Sequence, residues 1–126
     1  MEVLSSRILL RPRDLGRSLE FYGRTLSLAV YREFGADASR GVVFFLGGGF
    51  LEVSGRAGAP AGGTVSLWLQ VRDVDAAHDH LRNQGVDILA PPRDEPWGLR
   101  EMWVADPDGV RIAVVQVPED HPLRRR

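Results

Sequence analysis

The chain has 126 residues, 44% of them hydrophobic and 26% charged, which suits one soluble globular domain spanning residues 1–126. Its net charge of −1 offers no attraction to nucleic acid or an anionic membrane, and its 16 basic residues are all arginine, which excludes Schiff-base chemistry on a lysine. The lack of cysteine removes disulfides, thiolate nucleophiles and cysteine metal sites, and no run approaches the roughly 20 apolar residues of a membrane-spanning helix. Met1 to Arg7 contains no basic segment leading into a long apolar run, so the expected location is the cytoplasm.

Residues 5–11 alternate, with Ile8 and Leu10 on one face and Arg7, Leu9 and Arg11 on the other, which predicts a half-buried strand. Asp14 is placed to cap a helix in which Leu15, Ser18, Leu19, Tyr22 and Leu26 recur at helical spacing. Residues 29–34, 41–46 and 50–54 are β-rich, and Gly35-Ala36-Asp37 and Gly47-Gly48-Gly49 separate them as turns. Residues 55–63 are small and glycine-rich and read as a linker.

The plan then repeats. A strand is expected over 64–71, and Asp73 caps a helix running to about Asn83, stopped by Gly85. Residues 86–90 extend toward Pro91-Pro92, which cannot sit in a central strand. Residues 99–105 and 110–117 form strands joined by the turn Asp106-Pro107-Asp108-Gly109, and 118–126 read as a frayed, charged tail. Leu10-Arg11-Pro12-Arg13-Asp14-Leu15 is echoed by Leu69-Gln70-Val71-Arg72-Asp73-Val74, an offset of 59 residues. The expected fold is α+β, with two βαβββ modules in tandem at about 5–55 and 64–117.

On Arg13-Asp14-Leu15 with Ser18 and Phe21-Tyr22, on Val71-Arg72-Asp73-Val74 and on Asp106-Pro107-Asp108-Gly109, the chain resembles the vicinal oxygen chelate superfamily. That superfamily contains glyoxalase I, extradiol dioxygenases, fosfomycin-resistance enzymes and bleomycin-resistance proteins. The resemblance implies modules that each curl a mixed sheet around a cleft, and a homodimer. It also implies four metal-ligand positions on the first, fourth, fifth and eighth strands, which fall here on Arg7, Glu52, Ser66 and Ala113. Only Glu52 is a good ligand, and a cation at Arg7 would repel a metal, so neither a metal nor another cofactor is expected. His78 and His80 stand two apart on a helix and so share no face, and His121 lies in the tail.

Arg7 and Glu52 are expected to pair where relatives hold a metal, since a guanidinium matches a carboxylate. Alternation adds Leu9, Arg11 and Phe50 to the first module's share of the cleft. In the second it adds Ser66, Trp68 and Gln70 from one strand, Glu101 and Trp103 from another, Arg111 from the last and Trp97 from a loop. Aromatic walls with a few polar groups suit a small organic ligand, planar or cationic. The resemblance therefore points to a metal-free binding protein of the bleomycin-resistance type, one that sequesters an antibiotic or other natural product. One alternative is a lyase or isomerase using Glu52 as base or metal ligand, with Glu101 a weaker catalytic candidate. The other is a non-catalytic interaction module. Gly47-Gly48-Gly49 lacks the Lys of a phosphate loop, and no serine has a histidine placed for a catalytic triad.

Overall fold

The structure is a computed structural model and describes residues 1–124. The chain forms two compact units, Met1–Ala61 and a second beginning at Gly62. In the first, β1 (Ile8–Leu10) leads to α1 (Leu15–Glu20), followed by β2 (Val30–Phe34), β3 (Gly41–Leu46) and β4 (Gly49–Ser54). In the second, β5 (Leu67–Gln70) leads to α2 (Val74–Asn83), then β6 (Asp87–Asp94), β7 (Arg100–Ala105) and β8 (Arg111–Gln116). Each unit is βαβββ. The sheets have the orders β1-β4-β3-β2 and β5-β8-β7-β6, with the first and last strands of each unit parallel and the rest antiparallel.

Both helices begin as their sequences require. The Asp14 carboxylate accepts from the Arg17 amide at 3.1 Å and the Asp73 carboxylate from the Ala76 amide at 3.0 Å. Such a cap stabilises a helix by about 1 kcal/mol over alanine. The first helix does not run straight to Leu26: after Glu20 it widens into a π-helical turn over Phe21–Thr25, and the Leu26 amide reaches the Phe21 carbonyl at 2.8 Å. This turn carries Phe21 and Tyr22, whose rings meet edge to face at 5.0 Å, and Tyr22 is fully buried. Gly23 lies against the Phe44 ring, so the helix covers the sheet face bearing Phe44, Val42, Leu51 and Val53. Each such fully buried side chain stabilises the fold by about 2 kcal/mol.

In the second unit the Val74 amide donates to the Gln116 side chain at 3.0 Å, and Arg100 grips Asp75 on α2 through two 2.9 Å bonds. The Arg100 guanidinium holds the Asp75 carboxyl below its ordinary pKa, and the contacts of both Gln116 and Arg100 with α2 assign Gln116, Arg100, Met102 and Val104 to the helix-covered face. The β7–β8 turn is held by Asp106, whose buried carboxylate accepts from the Asp108 and Val110 amides at 2.8 and 2.9 Å.

Three further local expectations change. β5 is shorter than expected, leaving residues 64–66 outside it. β6 runs through Pro91 and Pro92, because it is an edge strand and its register slips between Ala90 and Arg93, where no ladder donor is needed. The tail is tied down rather than frayed up to Arg124, whose Nε donates to the Val117 carbonyl at 3.0 Å; residues 125–126 lie outside the described residues.

Candidate functional site

The face of each sheet opposite its helix carries the polar and aromatic side chains. In the first unit, parallel pairing sets Leu9 beside Glu52, so Arg7, Leu9 and Arg11 share a face with Phe50, Glu52 and Ser54. Arg7 Nη1 donates to Glu52 Oε1 at 2.9 Å. Arg11 Nη1 donates to Ser54 Oγ at 2.5 Å and reaches Glu52 Oε2 at 3.5 Å, and Ser54 Oγ donates to Glu52 Oε2 at 2.7 Å. The expected ion pair is thus a four-group network. The Ser54 hydroxyl first, then the two guanidinium groups, hold the Glu52 carboxyl below its ordinary pKa, against a partial burial that raises it. The Glu52 side chain is 12% exposed, while Arg7 and Arg11 are 38% and 49% exposed.

The same face holds side chains beyond the expected cleft residues. Val30 pairs with Phe44 and Arg32 with Val43, so Tyr31 is an extra residue bulged from the ladder. The bulge turns Tyr31 toward Phe45 and Phe50, at ring distances of 5.2 and 4.8 Å, and Phe45 meets Phe50 at 5.6 Å. Tyr31 is 51% and Phe45 44% exposed. Arg32 lies over the Phe34 ring at 5.8 Å, and that ring covers Gly41, where an added Cβ would stand 2.3 Å from it. Strand alternation for Phe45 was available in the sequence; the bulge at Tyr31 left no sequence signal.

In the second unit, Trp68, Ala113 and Trp103 stand abreast on β5, β8 and β7, and Gln70, Val115 and Glu101 form the next row. Trp103 packs against buried Leu99, Ala113, Val115 and Val117. Trp68 and Trp97 are each about half exposed. Trp97, on the β6–β7 loop, donates its indole N–H to buried Glu101 at 2.5 Å. Its carbonyl accepts from His121 Nε2 at 3.0 Å, while His121 Nδ1 accepts from the Leu123 amide at 3.2 Å; both bonds together require the neutral tautomer protonated on Nε2. Gly98, at φ +92°, leaves room for that imidazole, which an added Cβ would meet at 3.1 Å. His121 is therefore not a merely solvated tail residue. Ser66 is exposed just before β5, Arg111 is exposed at the start of β8, and His78 and His80 sit on α2.

The four positions that the resemblance assigns to metal ligands do not fit a divalent ion. Glu52 already accepts from three donors, Arg7 is a cation and Ala113 is a buried methyl group in an apolar cluster. No group of three or more His, Cys, Asp or Glu side chains is placed to hold a metal among the described residues. No helix among them is long and apolar enough to cross a membrane.

Solved structures sharing this fold include a glyoxalase/bleomycin resistance protein/dioxygenase superfamily member from Sphaerobacter thermophilus DSM 20745. It is 29% identical, with a TM-score of 0.71 over 92% of this chain and 97% of that one. TioX from Micromonospora sp. ML1 is 25% identical, with a TM-score of 0.74 over 90% and 98%. TnmS3, an antibiotic binding protein from Streptomyces sp. CB03234, is 23% identical, with a TM-score of 0.76 over 93% and 98%. No curated protein sequence matches the chain. The family profile described as Glyoxalase/Bleomycin resistance protein/Dioxygenase superfamily matches residues 5–114, nearly the full length of both βαβββ units, and the chain belongs to that superfamily.

Proposed function

We propose that this chain is a metal-free binding protein that sequesters a small organic molecule, of the antibiotic or natural-product kind, without altering it. The observation that carries the reading is the half-exposed Trp97 ring bonded to a buried carboxylate, Glu101, on the face that also bears Trp68 and Trp103. Among the described residues no arginine pairs with Glu101, so a flat cationic group has both an aromatic surface and an anion to meet. TnmS3, which shares the fold, is an antibiotic binding protein. The enzymatic alternative is weaker, because a Glu52 carboxyl held below its ordinary pKa is a poor general base. In this reading the protein is a cytoplasmic homodimer, and light scattering at micromolar concentration should give twice the 14.0 kDa chain mass.

The test is a titration with the planar cation proflavine, followed by tryptophan fluorescence. Binding should quench the signal along a one-site isotherm, return the dye unchanged and weaken on Trp68→Ala. An aromatic anchor is worth about 2 kcal/mol, roughly thirtyfold in affinity. Chemical turnover of a bound compound, abolished by Glu52→Gln with binding retained, would make the protein an enzyme instead. No binding by any planar cation, anion or neutral compound would leave an interaction module.

A further inference from the structure

The first unit offers a surface of different chemistry. Arg7 precedes Ile8, which pairs with Leu51, so Arg7 stands level with Phe50. Phe50 pairs with Phe45, and the bulged Tyr31 packs on both rings. One row across the sheet therefore reads Arg7, Phe50, Phe45, Tyr31. With strands about 4.8 Å apart, the row is about 14 Å long, the span of two or three fused rings plus a substituent.

Charge on this face is unbalanced. Arg7, Arg11 and Arg32 share it with a single strand carboxylate, Glu52. Glu33, on β2, pairs with Val42 on the helix-covered face and bonds to Arg40. Arg7 uses only Nη1 on Glu52, so among the described residues its Nε and Nη2 donors have no protein partner. A guanidinium edge with unused parallel donors matches a carboxylate in bidentate geometry.

We propose that this face of the first unit binds a flat aromatic acid, with the ring on Tyr31, Phe45 and Phe50 and the carboxylate on Arg7. The inference rests on the small-molecule reading above and adds to it a ligand class and a second set of residues. An aromatic compound lacking the acid keeps the ring contacts and loses the ionic one. Glu52 competes with the ligand for Arg7, so it sets the affinity without touching the ring.

The experiment compares anthraquinone-2-carboxylate with anthraquinone-2-carboxamide by equilibrium dialysis on the full chain. The carboxylate should bind about tenfold more tightly, an advantage that fades as salt rises. Arg7→Gln should remove that advantage and leave the carboxamide unchanged, Phe45→Ala should weaken both probes, and Glu52→Gln should tighten the carboxylate alone. Arg7 and Phe45 are substantially exposed, so these variants keep the fold, as their urea midpoints will verify. Equal affinity for the two probes, or an Arg7→Gln protein that still prefers the acid, overturns the proposal. If proflavine binds in a Trp68-dependent manner while the anthraquinone acid does not, this inference fails and the small-molecule reading stands. If none of the three binds, both fail.

Discussion

The two units share a topology and differ in what the same ladder positions display. On the face opposite the helix, the first unit's central row reads Leu9, Glu52, Val43 and the second unit's reads Trp68, Ala113, Trp103. The first spends that row on a carboxylate tied to two arginines and a serine, the second on a methyl group flanked by indoles. The hydrogen-bond ladder dictates which side chains stand abreast; it is indifferent to whether they are charged or aromatic. A duplicated backbone can thus carry two unlike surfaces.

Making the second unit resemble the first should have the largest effect. Ala113→Glu puts a carboxylate among Leu99, Val115 and Val117 with no arginine provided for it, and should cost at least about 3 kcal/mol in urea unfolding. A loss below 1 kcal/mol would show that this face hydrates freely.

Breaking the first unit's network should cost less. A fully buried pair loses about 3 kcal/mol when one partner goes, but Arg7 and Arg11 are 38% and 49% exposed. Glu52→Gln or Arg7→Gln should therefore cost about 1 kcal/mol each, with a double-mutant coupling of about 0.5 kcal/mol. Additive losses would separate the two side chains. The pH dependence follows from the lowered Glu52 pKa: its stabilisation is complete above the ordinary carboxyl range and disappears as pH falls through the folded value. Glu52→Gln should accordingly lose less stability than the parent between pH 6 and pH 3. An equal acid loss would assign it to other carboxylates, such as Asp75 and Glu95.

The helices allow a comparison of opposite sign. Ser18 stands 59 residues before Ala77, and its buried hydroxyl has no hydrogen-bond partner among the described residues. Ser18→Ala, which copies the second unit, should be stabilising by about 0.5–1 kcal/mol. A destabilised protein would reveal a partner for that hydroxyl. The smallest global effect belongs to His121. His121→Ala should change unfolding by only about 0.5 kcal/mol, yet raise acrylamide quenching of Trp97 in a Trp68→Phe, Trp103→Phe background. His121→Gln, which retains a donor for the Trp97 carbonyl, should restore part of the protection. Unchanged quenching would mean that the loop holds Trp97 without the tail.

The sequence by itself determined what depends on neighbours along the chain. Side-chain alternation placed Arg7 and Glu52 on one face and Trp68 and Trp103 on another, Asp14 and Asp73 capped their helices, and Asp106 closed its turn. The tertiary structure decided what depends on partners far along it. A register slip against β3 brought Tyr31 to the aromatic row, since alternation holds only while pairing is regular. Long arginine side chains reached past their ladder neighbours, joining Arg11 and Ser54 to a pair expected to be Arg7 and Glu52 alone. An edge position allowed Pro91 and Pro92 into a strand, and the fold of the tail carried His121 to the Trp97 loop. Periodicity records which way a side chain points, while register, reach and edge position exist only once the strands have met.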